Sequence, residues 1–249
     1  MSFVDWCATG VRQQISNSLG ADRGVSERCS PPDESRVRDY GVGMAVETEV
    51  WAMVITDLVA ELDVLFAAVP EREWESPAAN VGWSCRRTAD HISGDFAHYA
   101  AQIIGQPRDH YVKFSFDTSR ATTPDELREV VRVAGGILAA AVRTASPDWL
   151  AWHPHGYFSA AGFAAIGAAE GLVHGHDIAA GLGLAWSPSP QLCGQVLSTV
   201  FPDAGHRAGS TALTNLLIQT GRGERPKDEP PRTWSYSAAA ARWPNLLRL

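Results

Sequence analysis

The sequence predicts an all-α protein built on a four-helix bundle with short additional C-terminal helices. Two observations carry this: four long stretches whose apolar residues recur at helical spacing, and an almost complete lack of alternating strand patterns. The first patterned stretch runs from Val46 through Val50, Met53, Val54, Ile55, Leu58 and Leu62 to Leu65, ending before Pro70. Ser84 is placed to cap a second helix carrying Ile92, Phe96, Tyr99 and Ile103, with Gly105 as its stop. Thr123-Pro124-Asp125-Glu126 combines a cap, a proline at the first helical position and a capping-box glutamate. It opens a third helix to about Thr144. Ser159 caps a fourth through Phe163, Ile166, Glu170, Val173 and Ile178, which Gly181-Leu182-Gly183 ends. Shorter helices follow from Ser189-Pro190 to about Val200 and from about Ser210 to Thr220. Trp149 to Gly156 reads as a loop.

Domain organisation follows from a change in composition. Residues 1–43 are rich in Ser, Gly, Arg and Asp, contain Pro31-Pro32 and show no apolar period, so they read as a partly disordered extension. Residues 44–249 read as the bundle with a C-terminal tail, and Met44 is an alternative start. The 249 residues carry a formal charge of −7, which argues against a nucleic-acid partner, because phosphate binding relies on clustered Lys and Arg. No basic, apolar leader opens the chain, and no apolar stretch reaches the ~20 residues that span a bilayer. The four cysteines lie apart at positions 7, 29, 85 and 193, without metal-ribbon or redox spacing. They read as reduced thiols in a cytoplasmic protein.

The chemistry concentrates on two helices. Glu170 and His174 are four apart, hence one turn apart on one helix face, amid apolar neighbours. A carboxylate in such surroundings is costly unless paired or bound to a metal. His91, on the second helix, is the candidate third ligand. Two imidazoles and a carboxylate leave a coordination position open, as catalytic sites do. The plainer alternative is a Glu170–His174 hydrogen bond beside an ordinary half-buried His91. Asp177, three residues beyond His174, and Asp95, four beyond His91, are candidates for orienting those histidines. His98 is too far along its helix to share a metal with His91. His176 points away from His174. Loop residues His153 and His155 read as mostly solvated, with His155 retained as a candidate at a pocket mouth. Arg108 and Arg120 are candidate receivers of a substrate carboxylate.

Three segments carry a family resemblance. Gly82-Trp83-Ser84 followed by His91 resembles the opening of the second helix in the DinB-like superfamily. Glu170-Gly-Leu-Val-His174-Gly-His-Asp177-Ile-Ala resembles the metal-helix signature of its mycothiol-dependent maleylpyruvate isomerase branch, and Phe201-Pro202-Asp203 with Gly221-Arg222 resembles that branch's ending. The resemblance implies a DinB-like bundle in which His91, Glu170 and His174 bind a divalent metal, usually zinc. It also implies mycothiol as thiol cosubstrate and a small-molecule electrophile as partner. Isomerase and S-transferase chemistry share the first step, thiolate addition. The protein would act as monomer or homodimer. Mycothiol is an actinobacterial thiol, and only two of the 21 basic residues being lysine, Lys113 and Lys227, suits a GC-rich source. His176 stands where the branch more often has Trp, and the sterol-carrier-like C-terminal domain of some isomerases is missing. Two other readings stay open: a non-catalytic metal-binding bundle or small-molecule binder, and a biosynthetic cyclase or lyase reusing the metal.

Overall fold

The computed structural model describes residues 34–146, 149–154, 156–204 and 209–223, with side chains from Glu47 onward. The chain divides into two units, Met1–Gly43 and Met44–Leu249, and the site belongs to the second. Helix α1 spans Glu34–Ala67, α2 Cys85–Gly105, α3 Pro124–Thr144 and α4 Ala160–Leu182, and the short α5 and α6 span Pro190–Val200 and Ala212–Gln219. The fold is all-α, with one two-stranded hairpin among the described residues. Among the described residues no helix is long and apolar enough to cross a membrane.

The ends of the helices are set by their caps. The side chains of Ser84, Thr123, Ser159 and Ser189 each accept a backbone N–H of the first turn, and Thr123 forms the full capping box with Glu126. Gly183 takes the left-handed conformation (φ 65°) that stops α4. At the end of α2 the left-handed residue is Gln106 rather than the expected Gly105.

The stretch read as a loop contains strands β1 (Leu150–His153) and β2 (Gly156–Ser159), paired antiparallel with Leu150 opposite Ser159. The hairpin is held to α2 by Gln102, whose amide donates to the Trp152 carbonyl (2.8 Å) while its oxygen accepts from Val112 N (2.8 Å). His153, expected in solvent, is instead buried against Phe158 and Phe163. His155 lies outside the described residues.

Helix α4 is the centre of the bundle. Every residue from Ala160 to Gly175 is buried, so this helix is enclosed on all sides and not amphipathic. Small residues allow that. A Cβ on Gly171 would lie 2.7 Å from Leu58 of α1, and one on Gly175 2.7 Å from Trp186 and 2.8 Å from Leu62. Gly167 packs against Leu138 of α3 and Tyr99 of α2. The other helices are two-faced. On α1, Ile55, Leu58 and Leu62 are fully buried, whereas Met53, counted in the apolar stripe, is exposed.

Candidate metal centre

A clip of chain brings α2 to α4. Between residues 74 and 86 the backbone folds on itself, with Ala78 N donating to Trp83 O (3.0 Å) and Cys85 N to Ser76 O (2.9 Å). Asn80 sits at its tip at φ 60°, a conformation Asn tolerates better than most residues. The tip rests on α4: Ala79 N donates to the Asp177 carbonyl (2.8 Å), and the Asn80 amide to Asp177 Oδ1 (3.0 Å). Gly181 permits this approach, since a Cβ there would meet the Pro77 carbonyl at 2.5 Å. Trp83 follows, and Ser84 starts α2.

His91, Glu170 and His174 converge. One ligand atom from each lies within 4.8 Å of the others. The two imidazoles meet edge to face at 4.9 Å between ring centres, and the Trp83 indole packs on both, at 4.9 Å from His91 and 6.1 Å from His174. Glu170 and His174 are each only 4% exposed.

The hydrogen bonds of His174 define its chemistry. Nδ1 lies 3.0 Å from Asp177 Oδ2, and Nε2 lies 3.3 Å from Glu170 Oε2. Asp177 also receives the Arg222 guanidinium and the Asn80 amide. Burial works to raise the Asp177 carboxyl, but its bonds from His174, Arg222 and Asn80 hold it below the ordinary value, so it is an ionised acceptor. Nδ1 must therefore donate. In a neutral imidazole Nε2 is then a lone pair facing a carboxylate oxygen, an arrangement that requires a cation between them, either a proton or a metal ion. Burial disfavours charge on His174, but its bonds to Asp177 and Glu170 prevail and raise its pKa.

His91 differs. Burial, and after it the charge of His174, lower its pKa to about 4, leaving the neutral form that a metal needs. Its Nε2 lies 3.4 Å from Asp95 Oδ2. That oxygen is buried without a hydrogen-bond partner, on a side chain raised well above the ordinary carboxyl range by burial and by Glu170. Two imidazoles and a glutamate converging beside this buried, unpartnered carboxyl oxygen are a donor set that fits a divalent cation.

The remaining candidates fall elsewhere. Arg108 and Arg120 are exposed on the connection between α2 and α3, and the Arg108 carbonyl accepts from Tyr157. The arginines that meet the cluster are Arg222, on Asp177, which the sequence offered only within the branch's ending and without a role, and Arg87, whose guanidinium lies 5.8 Å from the Trp83 ring centre. Trp83 stood inside the recognised motif without a role, and Asn80 carried no signal beyond turn propensity. His98 hydrogen-bonds the Gly94 and Phe114 carbonyls and stacks on Phe114, so it anchors the connection. His176 is half-buried, and burial lowers its pKa. The thiols of Cys85 and Cys193 are pushed up by burial to about 11 and about 12, which makes them poor nucleophiles.

A family model described as the mycothiol maleylpyruvate isomerase N-terminal domain matches residues 55–179. No curated protein and no solved structure matches the chain.

Proposed function

The chain belongs to the mycothiol maleylpyruvate isomerase N-terminal domain family, and from that premise we propose that it is a metal- and thiol-dependent enzyme. His91, Glu170 and His174 hold the divalent metal, and zinc suits two imidazoles and one carboxylate. The observation that carries this reading is the His174 Nε2 lone pair set 3.3 Å from Glu170 Oε2 by the Asp177 bond on the other side of the ring. A bound divalent cation lowers the pKa of a thiol such as mycothiol and supplies the thiolate as nucleophile.

The chain's own residues do the rest. Asp177 holds His174 in the Nδ1–H tautomer and so keeps Nε2 available. Trp83 fixes both rings by contact and covers them with an apolar face. Asp95 supports His91 from the next turn of α2. The thiolate adds to an electrophilic small molecule, leaving again after bond rotation in an isomerase and remaining in an S-transferase. The enzyme is cytoplasmic and acts as monomer or homodimer.

Metal analysis and thiol-dependent turnover test this. The wild-type protein is expected to hold about one divalent ion per chain and to turn over an electrophile only with mycothiol. Undiminished metal content in His174→Ala would remove the assignment. Metal bound without any thiol-dependent turnover would leave a non-catalytic metal-binding bundle.

A further inference from the structure

We propose that Arg222 is a positioning residue of the metal centre, fixing through Asp177 which nitrogen His174 presents to the ion. The inference rests on the metal-centre reading above and extends that centre beyond the matched segment 55–179 into the turn after α6.

The geometry is a two-pronged grip. Arg222 Nε lies 3.0 Å from Asp177 Oδ1 and 3.1 Å from Oδ2, and Nη2 lies 2.9 Å from Oδ2. The Oδ2 atom is also the one that accepts from His174 Nδ1 at 3.0 Å. Asp177 is fully buried, and the Arg222 side chain is 12% exposed, so solvent screens the pair little. A forked guanidinium–carboxylate contact sets orientation as well as charge.

The arginine is delivered by a fixed backbone. Gly221 turns at φ 77°, Arg222 N donates to Leu217 O (2.7 Å), and Nη1 donates to the Thr220 carbonyl (3.0 Å). With Arg222 on one flank and Asn80 on the other, the Asp177 carboxylate has one orientation in which every bond is made. That orientation places Oδ2 on the His174 ring. Removing the guanidinium leaves the carboxylate with the Asn80 amide and the imidazole alone, free to rotate, and the ring loses its anchor. A purely structural ion pair would contribute stability without affecting what His174 presents to an ion.

Cobalt(II) separates these cases, because its affinity and absorption bands report how well and in what geometry the ligands hold the ion, without any need for turnover. Wild type, Arg222→Gln, Arg222→Lys and, as control, Arg128→Gln are titrated with cobalt(II) against a competing chelator, alongside melting of the metal-free proteins. Arg222→Gln is expected to weaken binding ten- to hundredfold, in line with losses of groups that support metal ligands, and to alter the cobalt bands. Arg222→Lys keeps the charge but loses the fork, and should recover only part of both. Arg128→Gln should match wild type. Wild-type affinity and bands in whichever Arg222 variant folds, whatever its melting temperature, would overturn the proposal while leaving the metal centre intact. A wild-type protein that binds no cobalt overturns the metal-centre reading itself.

Discussion

The site contains two pairs with the same sequence spacing and different surroundings. His91 and Asp95 on α2 stand four apart, with 3.4 Å between Nε2 and Oδ2. Glu170 and His174 on α4 stand four apart, with 3.3 Å between Oε2 and Nε2. On α4 the ring is held from behind by Asp177, which is itself held by Arg222 and Asn80. On α2 the Asp95 oxygen facing His91 is left without a hydrogen-bond partner, and His91 remains partly accessible beneath Trp83. Helical spacing thus supplies the donor pairs, and the tertiary setting assigns their parts. In the proposed metal centre the α4 pair is the preorganised half, and His91 of the α2 pair is the donor that would complete it.

The largest expected effect removes either imidazole. His174→Ala and His91→Ala should both abolish stoichiometric metal binding, since each takes one of three protein donors. Stability of the metal-free proteins should then separate the two halves. His174→Ala takes one hydrogen bond each from buried Glu170 and Asp177, at about 1.5–3 kcal/mol per bond to a charged group, although Asp177 keeps Arg222 and Asn80. On α2 the corresponding carboxyl, Asp95, loses no hydrogen bond at Oδ2 when His91 is removed, so in double-mutant cycles read by urea denaturation of the metal-free proteins the His174–Asp177 coupling should exceed the His91–Asp95 coupling. Equal couplings would break the distinction.

The same contrast extends to packing. Alanine in place of a mid-helix glycine gains up to about 1 kcal/mol of helix propensity. At Gly175 that gain is outweighed, because the new Cβ meets Trp186 at 2.7 Å and Leu62 at 2.8 Å, and overpacking costs about 1–3 kcal/mol. At Gly94 on α2 the nearest atom is the Phe116 carbonyl at 3.4 Å, an ordinary contact. Gly175→Ala is therefore expected to lower the melting temperature, and Gly94→Ala to leave it level or raise it. A destabilised Gly94→Ala beside a neutral Gly175→Ala would reverse the ranking of the two helices.

The sequence made local features legible and left distant partnerships hidden. Helix starts were readable because a cap and the N–H it accepts lie within one turn, as at Ser84, Thr123 and Ser159. The convergence of His91 with Glu170 and His174 was readable in part, since two of the three share a helix face. The hairpin was missed because each strand has only four residues, too few to show an alternation, and Pro154 lies between them. Arg222 was missed as a partner because its bond to Asp177 spans 45 residues and depends on the turn at Gly221. Choosing Arg108 and Arg120 rested on residue type alone, and type does not distinguish an exposed arginine from one aimed at a buried carboxylate.

The smallest expected effect lies in a second carboxylate gripped by arginine, this one at the surface. Asp63 of α1 accepts from Arg128 Nε (3.1 Å) and Arg132 Nη1 (2.9 Å) of α3. Burial works to raise its pKa, but the bonds and charges of the two arginines together outweigh it and bring it below the ordinary 3.8. A carboxyl whose folded value is depressed adds stability above its unfolded value, and that contribution fades as pH falls through the folded one. The pair is exposed enough for solvent to screen it, so Asp63→Asn should cost less than about 1 kcal/mol at pH 7. The gap between wild type and variant in urea denaturation should hold at pH 5 and narrow toward pH 3. A gap that widens in acid would contradict the sign. A cost at pH 7 as large as that of Asp177→Asn would mean that burial adds nothing to the Asp177–Arg222 grip, and the preorganisation assigned to α4 would lose its physical basis.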